Sequence, residues 1–277
     1  MSAATALRAA AVTIPGGLFT IGSDDHYPEE RPAREVSAAP FRLARTPVTN
    51  AAFAEFVAST AWVTTAEHAG GSDVFMMTRH PVSLNAPDQW WAFTPRACWR
   101  NPEGPHSTLI GREGHPVTHI SQADALAFAI WAEARLPTEI EWEVAARGGL
   151  VGATYAWGDE FAPGGTLFAN VWTGSFPWYF SRDEGPGPSA VGTFPPNGYG
   201  LSDMIGNVWE WTTSPFTQDP CCACAAGQAA PDKNVTLKGG SFLCAGEYCL
   251  RYRPAARIGV KPGATTSHIG FRCAWDV

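Results

Sequence analysis

The amino-acid sequence predicts an α+β fold in which regular secondary structure is sparse. Its 277 residues include 28 glycines and 23 prolines without a repeat period, which favours a globule rich in turns. Hydrophobic residues make up 45% of the chain, enough for a sizeable core in one large domain or two small ones. Helical periodicity is confined to three segments before Gly149, and the rest of the sequence is typical of short strands and loops.

The first predicted elements are a strand and a helix. Residues 14–23 are apolar and interrupted by glycines, which predicts a short strand beside turns. Residues 48–59 predict the first helix, because their apolar side chains recur at i, i+3 and i+4. Thr49 or Asn50 is a suitable N-cap for this helix.

A capping box predicts the start of each of the next two helices. In this motif a hydroxyl and an acidic side chain three residues later satisfy each other's backbone N–H groups. Ser121 with Asp124 predicts a helix over residues 121–134, and Thr138 with Glu141 predicts a third. The third helix is expected to end at the Gly-Gly pair that closes this half of the chain, since glycine terminates helices.

Charge and composition exclude several classes of function. The net charge is −7 and no basic run exists, so the sequence predicts no nucleic-acid partner. No apolar stretch approaches the length of a membrane span, and the N-terminal segment is too weak for a secretory signal. Seven cysteines, an odd number, argue against a fully paired disulfide framework. These observations predict a cytoplasmic protein without a membrane partner.

The most informative pattern is the cysteine pair Cys244 and Cys249. Gly239-Gly240 precedes it and is expected to turn where a side chain would clash. Arg251 and Arg253 follow it and would favour thiolates nearby. Spacing alone leaves three interpretations open: buried core thiols, a disulfide in a bent segment, or a soft-metal site for Cu(I) or zinc. Of these, spacing slightly favours the buried thiols.

Three other patterns are weaker. The segment Asp203-Met204-Ile205-Gly206-Asn207-Val208-Trp209-Glu210-Trp211 offers oxygen ligands for calcium, but spacing alone favours a hydrogen-bonded turn. His115 and His119 stand four residues apart in a sequence that favours a strand, and are expected to be structural. Cys221-Cys222-Ala223-Cys224 lacks a second cluster to complete four ligands, so it predicts a loop with incidental cysteines.

Taken together, the motifs resemble the formylglycine-generating enzyme (sulfatase-modifying factor) family nearly end to end. The first half of the matching set is Pro15-Gly16-Gly17, Gly22-Ser23, Pro47-Val48-Thr49-Asn50, His115-Pro116-Val117, Arg135-Leu136-Pro137-Thr138-Glu139 and Glu141-Trp142-Glu143. The second half is Tyr155-Ala156-Trp157-Gly158, Asn197-Gly198-Tyr199-Gly200-Leu201, Gly206-Asn207-Val208-Trp209-Glu210-Trp211, Gly239-Gly240-Ser241 and Gly270-Phe271-Arg272-Cys273. The resemblance implies one compact domain over residues 1–277, with a fold related to C-type lectins.

The resemblance also implies an activity, which the fold alone does not. Members that keep both cysteines bind Cu(I) and use molecular oxygen. They convert the cysteine of a Cys-x-Pro-x-Arg stretch in an unfolded sulfatase to Cα-formylglycine. By this resemblance Cys244 and Cys249 are the copper ligands. Ser241 is expected to orient the substrate thiol or oxygen, and Tyr248 to donate a hydrogen bond.

Calcium is the second cofactor that the resemblance implies. It reverses the preference for a simple turn at residues 203–210. The ligands expected there are Asp203, Gly206, Val208 and Glu210. A second site is expected at Asn170, Val171 and Glu184, although the loop that carries Glu184 departs from the family pattern and has Phe180 where an asparagine is usual.

The resemblance also predicts the cellular compartment of the protein and suggests two alternative functions. Three positions that form disulfides in secretory members hold Ala129, Ala146 and Pro254, which leaves Cys273 without a partner and supports a bacterial-type cytoplasmic enzyme. One alternative is a sugar- or protein-binding module with inert thiols. The other is an iron-dependent sulfoxide synthase, which normally needs an additional helical domain with a His-rich iron site.

Overall fold

Caps and glycines determine where the helices begin and end. The computed structural model of the protein describes residues 1–218 and 233–277. In that part of the chain the α-helices are α1 (Ala3–Ala10), α2 (Asn50–Thr60), α3 (Thr65–His68), α4 (Gln122–Trp131) and α5 (Glu139–Arg147). Short 3₁₀ turns lie at Pro28–Glu30, Pro87–Gln89 and Pro163–Gly165.

The three predicted helices are confirmed as α2, α4 and α5, with boundaries shifted by up to three residues. Thr49 is the N-cap of α2, and both predicted capping boxes are formed. Gly148 ends α5 in the left-handed conformation, with φ 59°. No pattern in the sequence predicted α1 or α3. The helix α1 contacts α2. The helix α3 is a single turn with its own capping box.

Short strands account for most of the remaining regular structure. They are β1 (Val12–Ile14), β2 (Gly17–Ile21), β3 (Arg34–Ala38), β4 (Phe41–Leu43), β5 (Gly71–Phe75), β6 (Trp91–Pro95), β7 (Trp209–Pro215), β8 (Val235–Lys238), β9 (Arg257–Val260), β10 (Ile269–Gly270) and β11 (Ala274–Asp276). The strand predicted within residues 14–23 is confirmed as β2, and β1 ends at the first residue of that segment. The sheet orders among the described residues are β1-β4-β11, β10-β7-β8-β9, β2-β3 and β5-β6.

The strand predicted around the two histidines does not form. Pro116 makes only an isolated bridge to Thr49, and His119 adopts a left-handed backbone conformation with φ 60°. His119 is fully buried, and its Nδ1 lies 2.8 Å from the Ser72 hydroxyl. The expectation that both histidines are structural remains compatible with these contacts.

A buried ion-pair network anchors the sheet beneath the C-terminal loops. Lys238 is fully buried at the end of β8, and its ammonium donates to Glu143 Oε2 at 2.8 Å. Glu143 also accepts from Arg147 at 2.7 Å. Burial disfavours the charge of Glu143, but Lys238 and Arg147 hold its pKa below the ordinary value. The network fixes the strand end from which the glycine pair and the two cysteines continue.

Two hydrophobic clusters fill the interior. The larger one joins α2, α4 and α5 to the strands. A smaller cluster is largely aromatic and consists of Trp90, Trp172, Phe176, Phe242, Leu243 and Ala245. This second cluster includes Phe242, Leu243 and Ala245 of the segment that carries the cysteines. None of the described helices combines the length and the hydrophobicity that a membrane-spanning helix needs.

Candidate active site

A tight turn brings the two cysteines together. The N–H groups of Tyr248 and Cys249 both donate to the Ala245 carbonyl, at 3.1 and 2.7 Å, which folds the chain back on itself. The Sγ atoms of Cys244 and Cys249 consequently lie 3.2 Å apart. Both are free thiols in this structure. The sulfurs therefore face each other, as a shared ligand pair requires.

The glycine pair has the role expected from the sequence. Gly240 has φ 73°, and a Cβ at this position would lie 2.6 Å from the Arg251 carbonyl oxygen. Gly239 has φ 97°, and its Cβ would meet the Met204 carbonyl at 3.0 Å. A side chain at Gly240 would clash with the chain that returns after Cys249, and one at Gly239 would clash with Met204 and Trp142.

The two thiols differ in their affinity for a proton. The pKa of Cys249 is lowered to about 6, chiefly because the Cys244 thiol donates a hydrogen bond to its sulfur. The Arg251 backbone N–H and guanidinium add to this effect. The pKa of the Cys244 thiol is raised well above its ordinary value, because the sulfur is buried and faces the Cys249 thiolate. The pair thus shares one proton, held on Cys244.

The two arginines predicted to favour thiolates have separate roles. Arg251 places Nη1 4.0 Å from Cys249 Sγ, while Nη2 binds Glu29 Oε1 at 2.6 Å. Its guanidinium also lies 3.8 Å from the centre of the Tyr27 ring. Arg253 instead forms a buried ion pair with Glu30 and makes no direct contact with the sulfurs. The expectation is therefore correct for Arg251 and wrong for Arg253.

An aromatic cavity of about 170 Å³ lies over the sulfurs. Cys244, Cys249, Ser241 and Tyr248 all line it, so the structure brings the four predicted residues together. The other lining residues are Trp90, Trp91, Phe176, Trp209, Leu243, Arg251, Ile258 and His268. The cavity thus reaches both sulfurs, although only Cys249 is partly exposed and Cys244 is buried.

Tyr248 is fixed by ring contacts. Its ring stacks on Phe176 with centroids 4.5 Å apart and planes 2° from parallel. It also meets the edge of Trp90 at 5.5 Å. Burial and then the two thiols raise the pKa of the phenol, so the hydroxyl is a proton donor at neutral pH.

Ser241 is oriented by a residue that the sequence analysis missed. Its Oγ lies 3.2 Å from His268 Nδ1 and accepts the Leu243 N–H at 3.3 Å. Burial lowers the pKa of His268 to about 3, so the imidazole is neutral. The available signal was the position of His268 two residues before the matching motif Gly270-Phe271-Arg272-Cys273.

The first predicted calcium segment is a loop that leads into β7. Asp203 is buried, and its Oδ2 accepts the Gly192 N–H at 2.7 Å. Burial raises the pKa of Asp203 to about 6. Glu210 is compensated differently, because its carboxylate accepts from Arg272 and from Trp142 Nε1 at 2.7–2.8 Å. A calcium ion fits the carboxylate of Asp203 better than that of Glu210, because Arg272 donates directly to the Glu210 carboxylate but only to the backbone carbonyl of Asp203.

The remaining ligands expected for this site lie within the same loop. Gly206 has φ 76°, and its Cβ would lie 2.5 Å from the Asn170 carbonyl oxygen. Val208 immediately precedes β7 and is buried. The loop also touches the thiol segment, since the Phe242 N–H donates to the Asn207 carbonyl at 3.0 Å.

The second predicted calcium site already holds a side-chain cation. Arg182 Nη2 donates to Asn170 Oδ1 at 2.6 Å and to the Val171 carbonyl at 3.2 Å. Glu184 lies close enough to stabilise the charge of Arg182, although burial lowers the pKa of that guanidinium overall. The residues do not fit calcium at this position, because an arginine occupies two of the expected ligand oxygens.

Other candidate ligands are dispersed. Within residues 1–218 and 233–277, no three His, Cys, Asp or Glu side chains converge on one point. The Cys221-Cys222-Ala223-Cys224 pattern lies outside the described residues. Cys273 is a buried free thiol whose pKa burial raises to about 12. Cys98 is also free and buried.

Sparse regular structure around a thiol pair in an aromatic cavity defines a single-domain α+β protein with a dithiol site. Residues 1–277 match the sulfatase-modifying factor enzyme 1-like domain family, and the chain belongs to this family. It is 50% identical over 294 residues to the formylglycine-generating enzyme of Mycobacterium tuberculosis, with 96% of this chain and 97% of the relative covered.

Two further comparisons separate fold from activity. The inactive C-alpha-formylglycine-generating enzyme 2 of Mus musculus is 43% identical over 276 residues, with 96% of this chain and 85% of the relative covered. The structure of PvdO from Pseudomonas aeruginosa superposes with a TM-score of 0.68 at 24% identity, covering 96% and 94% of the two chains. The predicted fold is therefore confirmed, whereas activity must be argued from the site.

Proposed function

We propose that this protein is a copper-dependent oxidase that converts the cysteine of a Cys-x-Pro-x-Arg stretch in an unfolded sulfatase to Cα-formylglycine with molecular oxygen. The observation that carries the proposal is the 3.2 Å separation of the Cys244 and Cys249 sulfurs at the base of an accessible cavity. The similarity to formylglycine-generating enzymes over nearly the whole chain supports it.

The residues present fit Cu(I). Two sulfurs, one of them a thiolate near neutral pH, form the soft donor set that this ion prefers over harder ions. When bound, Cu(I) would supply the one-electron chemistry that lets molecular oxygen react with a thiol. Cys244 and Cys249 would hold it, and Arg251 beside Cys249 would offset the negative charge of the thiolates.

The electron balance of the reaction requires an external reductant. The substrate group R–CH₂–SH is oxidised by two electrons to a thioaldehyde, and hydrolysis of the thioaldehyde gives R–CHO and H₂S. Molecular oxygen is reduced to two molecules of water, and the hydrolysis consumes one. Dioxygen accepts four electrons, whereas the substrate loses only two. Two further electrons and two protons must therefore come from an external reductant, for which a thiol is a suitable chemical class.

Ser241 and Tyr248 are placed to position the substrate. Ser241 is held between His268 Nδ1 and the Leu243 N–H, so its hydroxyl has a fixed direction beside the sulfurs. Tyr248 is clamped against Phe176 and carries a protonated phenol into the same cavity. Such fixed donors orient a substrate thiol without having to reorganise during reaction.

The aromatic walls suit a flexible peptide. Trp90, Trp91 and Phe176 present apolar faces around the sulfurs, and exposed peptide groups can pack on them. The same walls exclude water from the reacting sulfur. An unfolded polypeptide is therefore the substrate class favoured over a folded surface, which could not enter a cavity of about 170 Å³.

The proposal also includes one calcium site and a cytoplasmic location. Calcium is proposed at Asp203, Gly206, Val208 and Glu210, where the buried carboxylate of Asp203 would gain a cation. A reducing, cytoplasmic location is proposed because Cys98, Cys244, Cys249 and Cys273 are all free thiols.

A peptide assay tests the function. The protein is loaded with Cu(I) and incubated with oxygen, a thiol reductant and a Cys-x-Pro-x-Arg peptide, and the peptide mass is followed. Conversion of thiol to aldehyde, absent from a Ser-x-Pro-x-Arg peptide, is expected. No conversion by protein with demonstrably bound copper would remove the proposal.

Two matched cysteine variants locate the chemistry. Cys249→Ala is expected to abolish conversion and tight Cu(I) binding, because one of two sulfur ligands is lost. Cys98→Ala removes another buried thiol that does not line the cavity, and should retain both properties. Equal loss in the two variants would indicate a general effect of thiol removal instead.

A further inference from the structure

The contacts of Arg182 define an internal cation site. Its Nη2 lies 2.6 Å from Asn170 Oδ1 and 3.2 Å from the Val171 carbonyl oxygen. These are two of the oxygens at which the family resemblance predicts calcium. We infer that in this protein the Arg182 guanidinium permanently replaces the second calcium ion and makes this part of the scaffold independent of calcium.

The orientation of Asn170 supports this inference. Its Nδ2 donates to the Gly187 carbonyl at 2.9 Å and approaches Asn207 Oδ1 at 3.3 Å. The amide is therefore held with Oδ1 pointing towards Arg182. The Asn170 carbonyl is used as well, since it accepts the Asn207 N–H at 2.8 Å. A fixed amide oxygen is a cation ligand, and the guanidinium is the cation that satisfies it.

Two neighbours of Arg182 favour its positive charge, although burial lowers the pKa of the guanidinium overall. The guanidinium lies 4.8 Å from the centre of the Phe180 ring, which presents its electron-rich face. The negative charge of Glu184 also favours the charged form. Arg182 and Glu184 further line a cavity of about 460 Å³, so water reaches the group. Calcium and a guanidinium in the same oxygen cage would repel each other, and one therefore excludes the other.

The replacement matters because this segment supports the thiols. The Trp172 N–H, one residue beyond Val171, donates to the Cys244 carbonyl at 3.0 Å. Arg182 thus fixes the segment whose backbone is hydrogen-bonded to Cys244. This inference concerns the scaffold and does not depend on the proposed oxidase activity.

Counting bound calcium tests the inference. Full-length wild-type protein and Arg182→Gln are dialysed against defined free Ca²⁺, and bound calcium is measured by mass spectrometry. Arg182→Gln is expected to bind one more calcium ion per chain than wild type, because the oxygen cage becomes free. An equal number in the two proteins would overturn the inference.

Thermal unfolding provides the second readout. Without calcium, Arg182→Gln should unfold roughly 3–6 °C below wild type, and millimolar Ca²⁺ should restore at least half of that loss. The matched control is Arg112→Gln, which removes an arginine from the wall of the same cavity that pairs with exposed Glu103. Restoration to the same extent in the control would overturn the inference.

A third variant keeps the test decisive if Arg182→Gln fails to fold. Glu184→Gln changes a residue expected to ligate calcium, but it leaves the contacts of Arg182 with Asn170 and Val171 intact. The inference expects the same calcium count as in wild type. A count lower by one would show that calcium binds there despite Arg182, and would overturn it.

Discussion

The imidazole Nδ1 of His268 lies 3.2 Å from the hydroxyl oxygen of Ser241, at the edge of the cavity that contains the two thiols. The contact joins the segment before β10 to the segment after β8, which are not neighbours in the chain. A serine hydroxyl rotates freely unless it has a partner, so His268 decides where this hydroxyl points.

Replacement of His268 is therefore expected to affect turnover more than copper binding. His268→Ala should lower kcat about tenfold, because one orienting hydrogen bond contributes about 1–1.5 kcal/mol. His268→Asn keeps an acceptor near the position of Nδ1 and should restore most of the rate. The measurements are kcat and KM for the peptide, together with Cu(I) affinity. Unchanged kcat in the alanine variant would contradict the positioning role.

The metal-free protein should contain one reactive and one unreactive thiol in the pair. Alkylation of Cys249 is expected to rise with pH around an inflection near 6, whereas Cys244 remains protonated and reacts far more slowly. Peptide mapping after a short iodoacetamide pulse at each pH measures both. In Cys244→Ala the inflection of Cys249 should move upward, because the hydrogen bond that mainly lowers its pKa is lost. An unmoved inflection would assign the effect to Arg251 instead.

The two glycines of the thiol segment should respond differently to a methyl group. Gly240→Ala is expected to lower the free energy of unfolding by about 2–4 kcal/mol, because of its positive φ and the contact with the Arg251 carbonyl. Gly246→Ala is the matched control. There a Cβ would find its nearest atom, the Tyr252 hydroxyl, at 3.9 Å. Urea unfolding should show little change in the control, and equal losses would mean that the turn does not depend on Gly240.

Acid should destabilise the protein partly through His119. Burial lowers the pKa of this histidine from 6.5 to about 4, so the unfolded chain binds its proton first as the pH falls. Stability is therefore complete above pH 6.5 and decreases below it. At pH 5 the protonation of His119 in the unfolded chain should lower the free energy of unfolding by about 2 kcal/mol relative to neutral pH.

The His119→Asn variant isolates this contribution, since asparagine retains a polar group near the Ser72 hydroxyl but does not titrate. Its free energy of unfolding should fall less steeply between pH 6.5 and 4 than that of wild type. His106→Asn, at an exposed histidine, serves as the control. If the slopes of His119→Asn and wild type coincide, His119 does not titrate on unfolding in this range.

Local signals in the sequence were sufficient for some parts of the structure. Capping boxes at Ser121 and Thr138 predicted two helix starts correctly, because the hydrogen bonds involved span only three residues. The glycine pair predicted a turn at Gly240 for the same reason. The cysteine spacing slightly favoured buried core thiols, and only the family resemblance implied that the two sulfurs act as a pair.

Parts of the site that depend on distant packing were not predictable. Trp90 and Trp91 reach the thiols from more than 150 residues away, and no periodic pattern connects them to Cys244. The pairing of Arg253 with Glu30 had no local signal either. Arg182 was overlooked because its partner Asn170 lies in another turn, and only the folded chain shows which cation the amide faces.

Both sulfurs belong to a single turn closed by the Ala245 carbonyl, whereas the walls above them come from remote parts of the polypeptide. The turn that would bind copper can consequently form before the cavity walls fold around it. If the turn holds copper as proposed, a partly unfolded chain should keep its two-sulfur chelator after the tryptophan enclosure is lost. Heat inactivation should then precede release of the metal, and inactivated protein should still carry copper.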